Sequence, residues 1–222
     1  KHPIVQGWLA GCARLTHLLR FRKSSNPSVS DLALFAMGAD VDALALETVL
    51  ADFHTVPHQG NPAADSEYTS RLIASGISAL NQATFEYAEN QFIRVDSIEI
   101  NNGWLAEVKA GSKVKDAYLA DLALQSILLG QAGIEIQRFS LILRESTYVT
   151  GNPWSQALRV VAVTERVQSL LADDEFVNYV TMSLGMTIED SLPERAFSKS
   201  CKGCQFSNDC WGHLHNPAFN LP

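Results

Sequence analysis

Apolar residues recur at helical spacing from residue 5 to 22, where Val5, Trp8, Leu9, Cys12, Leu15, Leu18 and Leu19 share one side. Cys12 therefore projects from a helix or its edge. Asn26-Pro27-Ser28 breaks the segment. Residues 38–54 predict a second helix, with Val41, Leu44, Ala45, Val49 and Leu50 as its buried stripe. A loop follows from Pro57 to Pro62, and Asp65 or Ser66 is expected to start a third helix running to about Gln82. The period then shortens. Residues 83–89 and 92–100 predict strands separated by Glu89-Asn90-Gln91. Asn101-Asn102-Gly103 is a hairpin signal, leading into a strand over 104–109. Residues 115–132 return to helical spacing, with Tyr118, Leu122, Gln125 and Leu129 along one side, and Gly133 is the expected stop. A buried strand over 134–143, a short strand near 158–163, and a helix from about 165 to 186 with a break at Asp173-Asp174 complete the pattern. Pro193 opens the tail. Helices, a small β-meander, a helix, a strand and further helices describe an α/β core with a helical cap.

Composition narrows the class. The 222 residues are 46% apolar and 18% charged, which suits one packed domain over 1–222. No apolar run is long enough to span a bilayer, and no signal-like segment opens the chain at Lys1, so a cytoplasmic protein is expected. A net charge of −7 argues against a broadly basic nucleic-acid coat. Local basic groups remain: Arg14, Arg20, Arg22 and Lys23; Lys109, Lys113 and Lys115; and Arg195, Lys199 and Lys202. Each alone reads equally well as a solvated face.

The cysteines change the picture. Cys201, Cys204 and Cys210 form C-x2-C-x5-C in a polar, Gly-containing stretch, and Cys12 is the only other cysteine. Four thiolates match a tetrahedral zinc or a [4Fe–4S] cluster, and either would staple the two ends of the chain together. Buried core cysteines or disulfides are the bland readings. The tight trio argues against the first, and the C-x2-C spacing outside an oxidising context argues against the second.

The meander carries the second pattern. Asp96 lies on one strand, and after the Asn-Gly turn Glu107-Val108-Lys109 lies on the next. Side chains two apart on a strand share a face, so Glu107 and Lys109 point the same way, and hairpin pairing can bring Asp96 beside them. Two carboxylates suit a hard divalent cation such as Mg²⁺ or Mn²⁺. Lysine suits orienting the attacking water and offsetting phosphorane charge. The competing reading is an alternating-charge strand facing solvent.

These residues resemble the PD-(D/E)XK nucleases of the RecB type. Val95-Asp96, Glu107-Val108-Lys109 and the following helix with Tyr118, Asp121 and Gln125 carry the resemblance, which spans roughly residues 8–212. The cysteine arrangement is similar to that of the iron–sulfur branch, which includes CRISPR-associated and AddB-type nucleases. The run from Glu107 to Gln125 is especially like a bacterial group with this nuclease domain. The resemblance implies a restriction-endonuclease-like core, a small mixed sheet flanked by helices, with a cysteine-ligated cluster joining segments near 8–20 and 197–213. It implies metal ligation by Asp96, Glu107 and the Val108 carbonyl, and catalysis by Lys109 with Gln125 beside it. Cys12, Cys201, Cys204 and Cys210 would ligate the cluster. The implied activity is divalent-metal-dependent deoxyribonuclease action, with exonuclease cleavage of single-stranded DNA as the preferred mode. The implied partners are DNA and a helicase or CRISPR-adaptation protein.

Two departures stand out. Asp42 occupies the place of a histidine common in the family, as either a third metal-facing acid or an exposed helical residue; Glu47, His54 and His58 fit that place less well. Leu129 stands where relatives carry a tyrosine, with Tyr118 as a possible substitute. The alternative function is a catalytically inactive nuclease-fold module that binds DNA or a protein in a repair or CRISPR-adaptation assembly.

Overall fold

The computed structural model describes residues 2–22, 29–195 and 197–212. The chain divides into two compact units, one formed by residues 1–26 and 171–222, the other by 27–170. Lys23 lies outside the described residues.

In the first unit the helical pattern of residues 5–22 is realised as two helices, α1 (Pro3–Ala10) and α2 (Ala13–Phe21). Gly11 ends α1 in the left-handed conformation at φ 60°, where a side chain would be strained, and Cys12 then caps α2. Its Sγ accepts from the Leu15 N–H at 3.4 Å. The expected break near residue 173 is present. Asp173 caps a helix over Asp174–Gly185, accepting from the Glu175 N–H at 2.9 Å.

That later helix packs on the first two through a close approach at Gly7. The Thr16 and Tyr179 hydroxyls, 2.7 Å apart, occupy the space a Cβ on Gly7 would need. Trp8 meets Phe176 and Tyr179 edge-on at 5.3 and 5.5 Å.

The second unit opens with α3 (Val29–Glu47), which begins well before the expected residue 38 and stops before 54. The chain turns back after Glu47, with the Leu50 N–H on the Ala45 carbonyl, so Leu50 still reaches the core beside Val41 and Ala45. A short strand, β1 (His54–Thr55), follows.

The third helix departs most from expectation. It runs as α4 (Pro62–Ala74), capped by Asn61 with Pro62 in its first turn, and does not reach Gln82. Gly76, at φ 92°, turns the chain out, and residues 79–82 already belong to a strand. The reason is local: a left-handed glycine stops the helix before the apolar Ala79-Leu80 pair can extend it.

The sheet then forms from β2 (Ala79–Ala88), β3 (Gln91–Glu99), β4 (Trp104–Lys109), β5 (Arg138–Arg144) and β6 (Leu158–Ala162), with β1 on the far edge. Strand order follows chain order. The β2–β3, β3–β4 and β5–β6 pairs are antiparallel, and the β1–β2 and β4–β5 pairs are parallel. The parallel step from β4 to β5 is bridged by α5 (Asp116–Gln131), as such a connection requires. The mixed sheet flanked by helices matches the coarse expectation. The fifth strand starts at Arg138 rather than 134, because Gln137 and Arg138 donate to the Gly103 carbonyl at the Asn-Gly turn.

The two sheet faces differ. Ala106 and Val108 of β4, with Ile142 and Leu158, pack under Val41, Ala45 and Leu50. The opposite face of β4 bears Glu107 and Lys109 and is met by α5.

A Gly7→Ala substitution should destabilise the protein by about 1–3 kcal/mol, since the added methyl must displace two bonded hydroxyls. Gly130→Ala on α5, where a Cβ meets nothing within 4 Å, should be neutral or stabilise by up to about 1 kcal/mol. Chemical denaturation of both variants measures the contrast.

Candidate active site

Strand pairing and one side-chain bond bring two of the expected acids together. Ser97 pairs with Ala106, the last regular pair at this end of the β3–β4 ladder. One step further, Asp96 falls opposite Glu107. Here a side chain replaces the ladder: Asp96 Oδ2 accepts from the Val108 N–H at 2.8 Å. The backbone of β4 thus fixes the carboxylate.

Glu107 is 8% exposed and gathers donors from two elements. Lys109, next on the same strand face, donates to Oε1, and Gln125 Nε2 of α5 donates to Oε2 at 2.7 Å. The other Gln125 atom, Oε1, is buried with no hydrogen-bond partner among the described residues. Asp121, one turn before Gln125, stands 3.8 Å from Lys109 Nζ. The ammonium also lies 5.4 Å from the centre of the Tyr118 ring, within cation–π range.

The electrostatics carry an excess of negative charge. Loss of hydration raises the Asp96 carboxyl, and Glu107 pushes it higher still, to about 8 despite the Val108 N–H and Lys109. Asp42, half-buried on α3, is also raised, first by burial and then by Glu107, with Lys109 opposing. Burial works against the Lys109 ammonium, but Glu107, Asp121 and Asp96 outweigh it, and its pKa rises. Asp42, Asp96, Glu107, Lys109 and Gln125 therefore form one interacting group. Three carboxylates and an orphaned amide oxygen are hard oxygen donors, a set that fits Mg²⁺ or Mn²⁺. The Val108 side chain points into the core, and its N–H is taken by Asp96.

The secondary candidates fall elsewhere. Leu129 is fully buried. His54 and Glu47 are exposed. His58 Nδ1 lies 2.7 Å from Asp65 Oδ2. Asp65 is thus a buried acceptor inside the first turns of α4 rather than the start of that helix. Among the proposed basic groups, Arg14 donates to the Pro193 carbonyl at 3.0 Å, Arg20 to the Ser183 carbonyl, and Arg22 pairs with Asp209 at 2.9 Å. These arginines tie the first unit together internally. Lys113, Lys115, Lys199 and Lys202 are exposed.

The four cysteines all belong to the first unit and line one small cavity, walled by Leu15, Leu18, Phe206 and Trp211. None is in a disulfide. Burial raises the Cys204 thiol, and Cys210, Cys12 and Cys201 raise it further, against a backbone hydrogen bond from Phe206 that lowers it. Two sulfurs also accept backbone N–H groups, Cys12 from Leu15 and Cys201 from Ser198. A four-thiol set in an apolar cavity fits a zinc ion or an iron–sulfur cluster in donor chemistry. No three His, Cys, Asp or Glu side chains among the described residues already stand at metal-holding geometry, so the fit at both centres rests on the donor sets.

Sequence reasoning passed over Asp121 as a site residue, although its position between Tyr118 and Gln125 on one helix side carried the signal. It also missed the group formed by Asp65, Arg94 and Gln82. Arg94 Nη1 lies 3.8 Å from Asp65 Oδ2, and its Nε donates to Gln82 Oε1 at 3.1 Å.

Asp96 gives a pH prediction. Its folded pKa lies above the unfolded value, so its contribution to stability is complete below about pH 4 and is lost as pH rises to about 8. Asp96→Asn keeps an acceptor for the Val108 N–H without the charge. In metal-free buffer this variant should melt several degrees higher than the parent near pH 8, with the gap closing towards pH 5. A thermal-melt series across that range measures it.

A scan of protein-family models finds no family that matches this chain, and a search of curated proteins finds no match either.

Proposed function

We propose that this chain is a divalent-metal-dependent deoxyribonuclease with a structural [4Fe–4S] cluster. One observation supports the reading above others: Asp96, Glu107, Lys109 and Gln125, from two strands and a helix, meet through direct bonds and shared charge on one sheet face. Asp42 adds a third carboxylate from α3. A solvated strand would have no need of a buried glutamate with a donor on each oxygen.

Asp96 and Glu107 would hold the cation, with Asp42 and the Val108 carbonyl completing its protein ligands. The cation would supply a water of lowered pKa and polarise the phosphoryl oxygen. The residues do the rest. Asp96, fixed by the Val108 N–H, gives the site its shape before substrate arrives. Lys109 remains protonated among its acidic neighbours, so it acts by hydrogen bonding and by offsetting developing negative charge. Asp121 and the Tyr118 ring hold the ammonium in place. Gln125 orients Glu107 and keeps one oxygen free to accept from water or substrate. Single-stranded DNA cut from an end is the mode the family resemblance implies.

In the first unit, Cys12, Cys201, Cys204 and Cys210 would ligate the cluster. Its role would be a structural staple, because Cys12 and the trio of Cys201, Cys204 and Cys210 lie far apart in sequence and line one cavity.

The reading is tested by incubating the protein with single-stranded and duplex DNA in Mg²⁺ or Mn²⁺. Lys109→Ala should lower cleavage by roughly 10²–10⁴-fold while retaining the fold. Glu107→Ala should instead lose divalent-ion binding by calorimetry. DNA binding without cleavage in either metal would favour the inactive-module alternative.

Anaerobically purified protein should be brown, with broad absorbance near roughly 400 nm and matching iron and sulfide content. Cys204→Ser should lower thermal stability along with colour. Colourless protein holding one zinc ion would keep the staple and reject iron–sulfur. A variant that melts like the parent would reject the structural role.

A further inference from the structure

We infer that Arg94 binds the phosphate next to the scissile one, so that the site takes a nucleic-acid strand rather than an isolated phosphate ester. The inference rests on the nuclease reading of Asp96, Glu107 and Lys109.

Position comes first. Arg94 and Asp96 are two residues apart on β3 and so share a sheet face, roughly 7 Å from each other along the strand. Asp96 lies in the carboxylate group; Arg94 is the first cation beside it on that strand. The side chain is about one-third exposed.

The guanidinium is also built in from behind. Asp65, 3% exposed, stands 3.8 Å from Nη1. Asp65 is itself fixed: its Oδ1 accepts from the Gln59 N–H at 2.7 Å, and Oδ2 meets His58. Gln82 Oε1 takes the Nε proton. Nε is hydrogen-bonded and Nη1 lies within ion-pair distance of a buried carboxylate, while Nη2 has no partner among the described residues. A planar, pre-oriented guanidinium edge matches a phosphate oxygen.

Gln82 supplies an independent observation. Asn81 pairs with Ser97 and Ala83 with Val95, so Gln82 falls opposite Asp96. Its backbone is left-handed, at φ 56°, in the middle of a strand. A non-glycine residue holds that conformation only where its surroundings impose it, and such residues gather at functional sites. Here the distortion accompanies the hydrogen bond that Arg94 donates to Gln82, directly across from Asp96. An ordinary surface ion pair between Arg94 and Asp65 would need no such distortion. Arg94 is then a substrate-binding residue, and Gln82 and Asp65 position it.

The test uses a fluorescein-labelled single-stranded oligonucleotide, titrated by anisotropy over a salt series with Ca²⁺ in place of Mg²⁺. Arg94→Met should weaken binding about 10- to 100-fold and shrink the salt slope by about 1. Gln82→Gly should weaken binding in the same direction without lowering the melting temperature, because glycine accepts the left-handed backbone. Parental affinity and slope in both variants would overturn the inference, with Gln82→Gly deciding it if Arg94→Met fails to fold. Turnover supplies a second arm. With Mg²⁺ or Mn²⁺, Arg94→Met should raise KM for the oligonucleotide far more than for bis(p-nitrophenyl) phosphate, which has no neighbouring phosphate. Equal losses on both substrates would overturn the inference. Wild-type protein that hydrolyses neither substrate overturns the nuclease reading alone, and the binding comparison still decides Arg94.

Discussion

Like charges withdrawn from water repel, and the second unit is organised around that constraint. Register sets Asp96 opposite Glu107, and α3 adds Asp42, so three carboxylates compete for what hydration and compensation remain. The fold answers with fixed donors: the Val108 N–H on Asp96, and Lys109 and Gln125 on Glu107. Lys109 is shared with Asp121, so one ammonium serves several acids. Even so, Asp96 is held towards its neutral form. The fold tolerates this charge imbalance beside β4 because Ala106 and Val108 anchor the strand in apolar packing on the face turned away from Glu107 and Lys109. Packing and polarity are thus divided by the two-residue period of a single strand.

How much of this was legible in the chain depends on how local each feature is. The hairpin was readable because Asn-Gly carries its own turn geometry, and pairing β3 with β4 leaves Asp96 and Glu107 one step beyond the last regular pair. Gln125 followed from one helix face. Helix ends were less legible. Apolar periodicity continues through Gly11 and Gly76, and only a left-handed backbone at those residues shows that the helices stop there. The start of α3 was missed because Val29–Met37 lacks a clear polar face.

The cluster of Gln82, Arg94 and Asp65 left no trace in periodicity. Its members come from β2, β3 and α4, and its most telling property is a dihedral angle at a residue type that gives no hint of it. The four cysteines show the opposite case. They are as far apart in sequence as any group here, yet spacing and scarcity made them readable, and one cavity holds them all.

The first unit is discontinuous, made from the beginning and the end of this sequence, whereas the second is one uninterrupted stretch. Order of synthesis therefore separates them. On the ribosome, α1 and α2 emerge before the stretch from 27 to 170, with Trp8 and the Cys12 thiol still lacking the later helix and tail that they meet in the finished unit. The stretch from 27 to 170 can complete its sheet while those helices wait. Their apolar side stays uncovered, and Cys12 stays open to oxidants, until residues beyond 171 have been made. The length of that interval follows from how many residues separate the two parts of the first unit, not from the stability of the finished protein.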